Sequence, residues 1–103
     1  IDARDQLYAR ANHGRYIAVA APGVDVLALA RGQGHDLQSG TSFAAAHVSG
    51  IVALLLERSP GLAVDGVRQA LVESAVDLGD PGRDDAFGAG RINAAAALRW
   101  VAK

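Results

Sequence analysis

The chain has 103 residues, half of them apolar, with 10 basic against 11 acidic side chains and a formal charge of −1. That length suits one small domain; the balanced charge, the lack of a basic stripe and the scarcity of aromatic faces for stacking argue against a nucleic-acid partner. Cysteine is absent, which excludes disulfides and thiolate metal sites, and the longest unbroken apolar run, residues 51–56, is too short to span a bilayer, so no membrane partner is expected.

The chain opens Ile1-Asp2-Ala3 without an initiator Met, and the expectation is a piece of something longer. Residues 16–21 are apolar and stop at Pro22-Gly23, the pattern of a buried strand entering a turn. Residues 24–30 and 36–38 are further strand candidates, separated by the breakers Gly32 and Gly34. From Thr41 to Arg58 there is no proline and one glycine, Gly50, before Pro60-Gly61 ends the run; length and composition predict a helix of about 16 residues. It is apolar nearly all round, which predicts burial on most faces. Its small residues Ala44, Ala45, Ala46, Ser49 and Gly50 would let it lie close to neighbouring strands.

Val64, Val67, Leu71 and Ala75 follow a helical spacing, with Asp65 in the first turn where an acid complements the helix dipole. Residues 78–90 are rich in Gly and Asp and read as a loop. Asn93 is placed to cap a last helix over 94–101. Strands followed by three helices make an α/β chain, but these strands are too few to cover so apolar a central helix. This is a second reason to expect that part of the fold lies elsewhere.

The chemistry concentrates in Ser39-Gly40-Thr41-Ser42-Phe43-Ala44-Ala45-Ala46-His47-Val48-Ser49-Gly50. A serine in the first turn of a buried helix sits beside backbone N–H groups that have no intrahelical partner, at the end of the helix dipole that favours negative charge. Both features stabilise an oxyanion formed beside the hydroxyl. Gly40 lets a substrate backbone approach closely. Serine near a helix start is common on its own, and then serves only the helix.

The whole string closely resembles the serine motif of the subtilase family, in which the Ser of Gly-Thr-Ser is the nucleophile. Ala20-Ala21-Pro22-Gly23-Val24 resembles the family's Ala-Pro-Gly segment, Asn12-His13-Gly14 the turn ahead of it, and Phe87-Gly88-Ala89-Gly90-Arg91-Ile92-Asn93-Ala94 the start of its late helix. One departure is Ala46, where the family usually has Pro. The resemblance implies that residues 1–103 are the C-terminal portion of a subtilisin-like catalytic domain, a three-layer α/β fold with a mainly parallel sheet. It implies a serine endopeptidase working through an acyl-enzyme on Ser42, whose backbone N–H also serves the oxyanion hole. Gly40 and Thr41 then contact a protein or peptide substrate. No cofactor is required and no metal site is assigned; structural calcium is left open for the parent. Export to the cell envelope or beyond also follows from the resemblance.

A serine protease of this kind needs a His base and an Asp to orient it, and subtilases carry them in the order Asp, His, Ser. His47 is five residues beyond Ser42, roughly 140° around the same helix, and is expected to be a packing residue. His13 and His35 sit in candidate loops without the family's His-Gly-Thr; Arg15 follows His13-Gly14. The missing Asp, His and oxyanion Asn are therefore expected in an upstream segment of the same domain, and this chain alone is expected to be inactive. A non-catalytic relative is an alternative, against which the intact Gly-Thr-Ser argues. An α/β-hydrolase, with Asp65, Asp77 or Asp80 as the acid, would need a His after the acid, and none follows His47. Gly32-Gln33-Gly34 and Gly88-Ala89-Gly90 do not continue into a dinucleotide or phosphate loop. Asp80, Asp84 and Asp85 suit calcium by chemistry, but a solvated acidic loop with Arg83 as counter-charge is the simpler expectation.

Overall fold

A computed structural model describes residues 1–102. Its elements are β1 (Val26–Leu29), β2 (His35–Gln38), α1 (Thr41–Arg58), α2 (Val64–Ser74) and α3 (Ala94–Val101). The three helices lie where the sequence predicts them. α1 ends where Ser59 leaves the helical region at φ −139° and Pro60-Gly61 follows. α3 begins at Asn93, whose side-chain oxygen accepts the Ala96 N–H at 3.0 Å, satisfying one of the donors a helix start leaves over.

β1 and β2 form an antiparallel ribbon in which Val26 faces Gln38 and Leu29 faces His35. Residues 16–21 do not form the expected strand. Tyr16 is 68% exposed, and the segment makes a single parallel bridge, Ala20 to Arg91. The pairing is local but well formed: Ala89 N–H donates to Ala18 at 2.8 Å, Ala20 N–H to Gly90 at 2.8 Å, and Ile92 N–H to Ala20 at 2.9 Å. Arg91 also pairs with Val76 on its other side. Gly90 sits at φ 123°, and a Cβ there would run into the Val76 carbonyl, so only glycine fits this three-segment crossing.

The core gathers where the three helices meet. Leu55 of α1, Ala70 and Leu71 of α2 and Ala97 of α3 are buried, with Val48, Ile51, Val52, Val67, Leu98 and Trp100 packed around them. The buried stripe of α2 therefore runs through Val67, Ala70 and Leu71. Val64, expected on that stripe, is the first residue of α2 and is 84% exposed. Trp100 fastens α3 to α2 through an indole N–H to Glu73 at 2.7 Å.

α1 calls for burial on most faces and is left largely open, as the small number of strands suggested. Of its eighteen residues only Leu55 is buried, and Leu54 and Leu56 are among the exposed large apolar side chains. The described residues offer it one layer of cover, from α2 and α3 on its C-terminal half. An open cleft of about 260 Å³ runs along its N-terminal half, lined by Leu7, Val19, Ala20, Ala44, Ala45 and Val48. A second, of about 560 Å³, lies between β1 and α1 against Val26, Phe43, Gly50, Ile51 and Leu54.

Candidate active site

The serine turn is built from two glycines that meet. Gly40 N–H donates to the Gly23 carbonyl at 2.7 Å. A Cβ on Gly23 would lie 2.8 Å from the Gly40 carbonyl oxygen and 3.1 Å from the Ala44 Cβ. The Ala-Pro-Gly segment is thus pressed against the start of α1, and Ala44 is small where the approach is tightest. Gly40 is the N-cap residue at φ 156°, ψ 156°, a region essentially reserved for glycine. The Ser39 hydroxyl accepts the Asp25 N–H at 2.9 Å, which ties the ribbon to the same turn.

Thr41 and Ser42 are the first two residues of α1, and both are exposed. Gly40 supplies no side chain, so α1 has no side-chain cap, and its first turn carries no acidic residue. The Phe43 N–H turns back to the Gly40 carbonyl at 3.1 Å, and the partial positive charge of the helix start falls at Thr41 and Ser42, the electrostatic setting of an oxyanion site. Gly40 at the cap and Thr41 and Ser42 in the first turn match the helix start expected from the sequence.

The histidines are not brought to Ser42. His47 is exposed, not packed, and its Nδ1 bonds to the Phe43 carbonyl at 3.0 Å, one turn back along the helix. It borders the open cleft between β1 and α1, across which Val26 and Leu27 stand. His13 and His35 are exposed as well. Among the described residues no hydrogen bond joins a histidine to the Ser42 hydroxyl.

The acidic loop is organised by its own backbone. Asp84 Oδ1 accepts the N–H groups of Ala86 at 2.9 Å and Phe87 at 2.7 Å. Asp77 Oδ2 accepts that of Gly82 at 2.7 Å. Arg83 pairs with Asp85, as expected of a counter-charge, and does more. Its Nη2 donates to the carbonyls of Gly14 at 3.0 Å, Arg15 at 2.6 Å and Ile17 at 3.0 Å. Those carbonyls converge as they would on a cation, and the guanidinium takes that place. Among the described residues no three His, Asp or Glu side chains gather for a metal. Near the other end, Asp2 accepts the N–H groups of Gln6 and Arg4, which hold its carboxyl below the usual value. The Gly23–Gly40 contact and the Arg83 clasp escaped sequence reasoning. The first had a signal in the two glycines bracketing the ribbon; the second joins residues more than sixty apart and had none.

Comparison with known proteins shows the family. The model of the family described as the subtilase family matches residues 1–90. The chain is 38% identical over 98 residues to the halolysin-like extracellular serine protease Nep of Natrialba magadii, covering 95% of this chain and 18% of that protein. It is 36% identical over 102 residues to alkaline elastase YaB of Bacillus sp. strain YaB, covering 96% and 26%. Among solved structures, MycP1 from Mycobacterium smegmatis superimposes with a TM-score of 0.83 at 33% identity, over 92% of this chain and 27% of that one. The chain therefore spans about a quarter or less of these relatives.

Proposed function

Because this chain belongs to the subtilase family, we propose that it is the C-terminal portion, residues 1–103, of a catalytic domain that hydrolyses peptide bonds as a serine endopeptidase with Ser42 as nucleophile. The observation that carries the reading is the position of Ser42, exposed in the uncapped first turn of α1 behind Gly40.

In this reading the Ser42 hydroxyl attacks the scissile carbonyl while a histidine takes its proton. The carbonyl oxygen becomes an oxyanion held by the Ser42 N–H, where the helix dipole already favours negative charge. Collapse expels the amine, which takes the proton from the histidine, and water later releases the acyl group. Gly40 and Thr41 border the bound chain; the missing side chain at Gly40 lets the substrate backbone come close. The histidine, its aspartate and a side-chain oxyanion donor belong to the upstream part of the domain, consistent with the small share of its relatives that the chain spans. The same upstream part is the partner that covers α1. Gly50 supports this: a Cβ there would meet nothing within 4 Å, so the described residues give no reason for a helix-weakening glycine, whereas a close-packed neighbour would. Structural calcium is left open for the parent; within the acidic loop Asp77 and the Asp84 Oδ1 are taken up by loop N–H groups and Arg83 fills the gathered carbonyls, while the buried Asp84 Oδ2 has no hydrogen-bond partner. The chemistry itself needs no cofactor. Export fits relatives named as extracellular proteases.

The test is made in the full-length protein. A fluorophosphonate should label Ser42, and Ser42→Ala should abolish labelling and lower peptide hydrolysis by several orders of magnitude, leaving at most a residual of about 10³–10⁴ over water. Thermal unfolding should stay nearly unchanged. Labelling at a different serine would sink the assignment.

A further inference from the structure

The β1–β2 ribbon that leads into Ser42 carries an apolar face. Leu27 and Leu37 are direct cross-strand partners, and Leu29 lies two residues beyond Leu27 on the same strand. Strand alternation puts all three on one side of the ribbon. They are 67%, 64% and 83% exposed respectively. Among the described residues each strand pairs only with the other, so the outer edges also present unpaired backbone groups, a template for an added extended chain.

The face is continuous with the serine turn. β2 ends at Gln38 and α1 begins at Thr41, and the intervening turn is pinned through Ser39 to Asp25 and through Gly40 to Gly23. From Leu37 to Ser42 the chain can span at most about 17 Å, the length of roughly five residues of an extended peptide. Size selects the occupant. Three leucines at these exposures present on the order of 300 Å² of apolar surface, the scale of a functional patch on a monomer. A stable interface between two folded proteins buries about 800 Å² on each side, so a second copy would be poorly held here. A few side chains of one extended strand match it.

We infer that the leucine face of the β1–β2 ribbon is a remote substrate-binding surface, which takes apolar side chains of an extended polypeptide two to five positions from the scissile bond. The inference rests on Ser42 being a peptidase nucleophile. Leu27, Leu29 and Leu37 would then set a preference for apolar segments flanking the cleaved bond without touching the reacting atoms.

The experiment compares the full-length protein with its Leu27→Thr, Leu29→Thr, Leu37→Thr triple variant, threonine being favourable in strands. The probes are fluorogenic peptides identical at the cleaved bond, with Leu or Ser two to five positions away on either side. The unmodified protein should prefer the Leu peptides. The variant should lose roughly tenfold in kcat/KM on them, as expected for lost hydrophobic contact. The loss should appear in KM with kcat kept, the mark of uniform binding, while the Ser peptides and fluorophosphonate labelling of Ser42 stay unchanged. Equal rates on both peptide sets before mutation would overturn the inference. So would a dimer in sedimentation that the variant abolishes, or a Tm of the variant altered by many degrees, which would mean the leucines are covered by the rest of the protein. A full-length protein that takes no label at Ser42 removes the peptidase reading itself, and the label separates that failure from loss of the remote surface alone.

Discussion

At the scale of single residues the site depends on a backbone that only glycine tolerates. Gly40 stands at φ 156°, ψ 156° directly before Thr41 and Ser42, and its N–H is held by Gly23. Gly40→Ala would force an L side chain into that region at a cost of about 1–3 kcal/mol, or shift the turn and move the Ser42 N–H with it. The full-length variant should therefore melt lower and take a fluorophosphonate more slowly. An unaltered melting curve together with an unaltered labelling rate would show that the turn does not need its glycine. The place of Ser42 at a helix start was legible in adjacent residues, a glycine that cannot cap and then a helix that starts immediately; the nucleophile role we propose for it came from the resemblance to the subtilase serine motif. The surroundings of His47 were not. Its place about 140° around the helix from Ser42 suggested a packing role, but whether a residue is packed depends on what lies opposite, and His47 borders the open cleft between β1 and α1.

At the scale of elements, α1 holds the tension in the structure. Eighteen residues with little polarity form one long helix, yet Leu55 is the only one of them buried. Gly50 in its middle weakens it by up to about 1 kcal/mol relative to alanine, with no steric need among the described residues. Gly50→Ala should then raise the helicity of the isolated chain, read by circular dichroism. In the full-length protein the same change should lower Tm, because an added methyl in a well-packed contact costs roughly 1–3 kcal/mol. The same sign in both contexts would refute a close neighbour at Gly50. Helices were legible here to their ends, since caps, breakers and 3.6-residue spacing are local. The segment 16–21 was not, because its bonding partners, residues 89–92, lie some seventy positions away and pair with it only once by strand criteria.

At the scale of the whole molecule, the helical core around Leu55, Leu71 and Ala97 is real but small, and a large apolar surface stays open on α1. Burying one Leu is worth about 1.5–3 kcal/mol, and net domain stability is only about 5–15 kcal/mol, so several uncovered leucines matter. The isolated 103-residue chain should be poorly folded or self-associated, and should cleave no peptide. Sedimentation and chemical denaturation would measure this; a monomer with one sharp unfolding transition would contradict it. The α/β class and the family were legible from motifs in order along the chain. The burial of α1 was read as a requirement that these few strands could not meet, and α1 is left open to match; the layers that would cover it belong to the rest of the domain we propose.

The Arg83 clasp bears on when the region can assemble during synthesis. Ser42 leaves the ribosome about forty residues ahead of Arg83, and at translation speeds of about 5–20 residues per second that is a delay of seconds. Until Arg83 emerges, the carbonyls of Gly14, Arg15 and Ile17 lack the donor that gathers them. Until Arg91 follows, Ala20 has no strand beside it. The segment that carries Ala21-Pro22-Gly23 to the serine turn is thus left unfastened on the nascent chain.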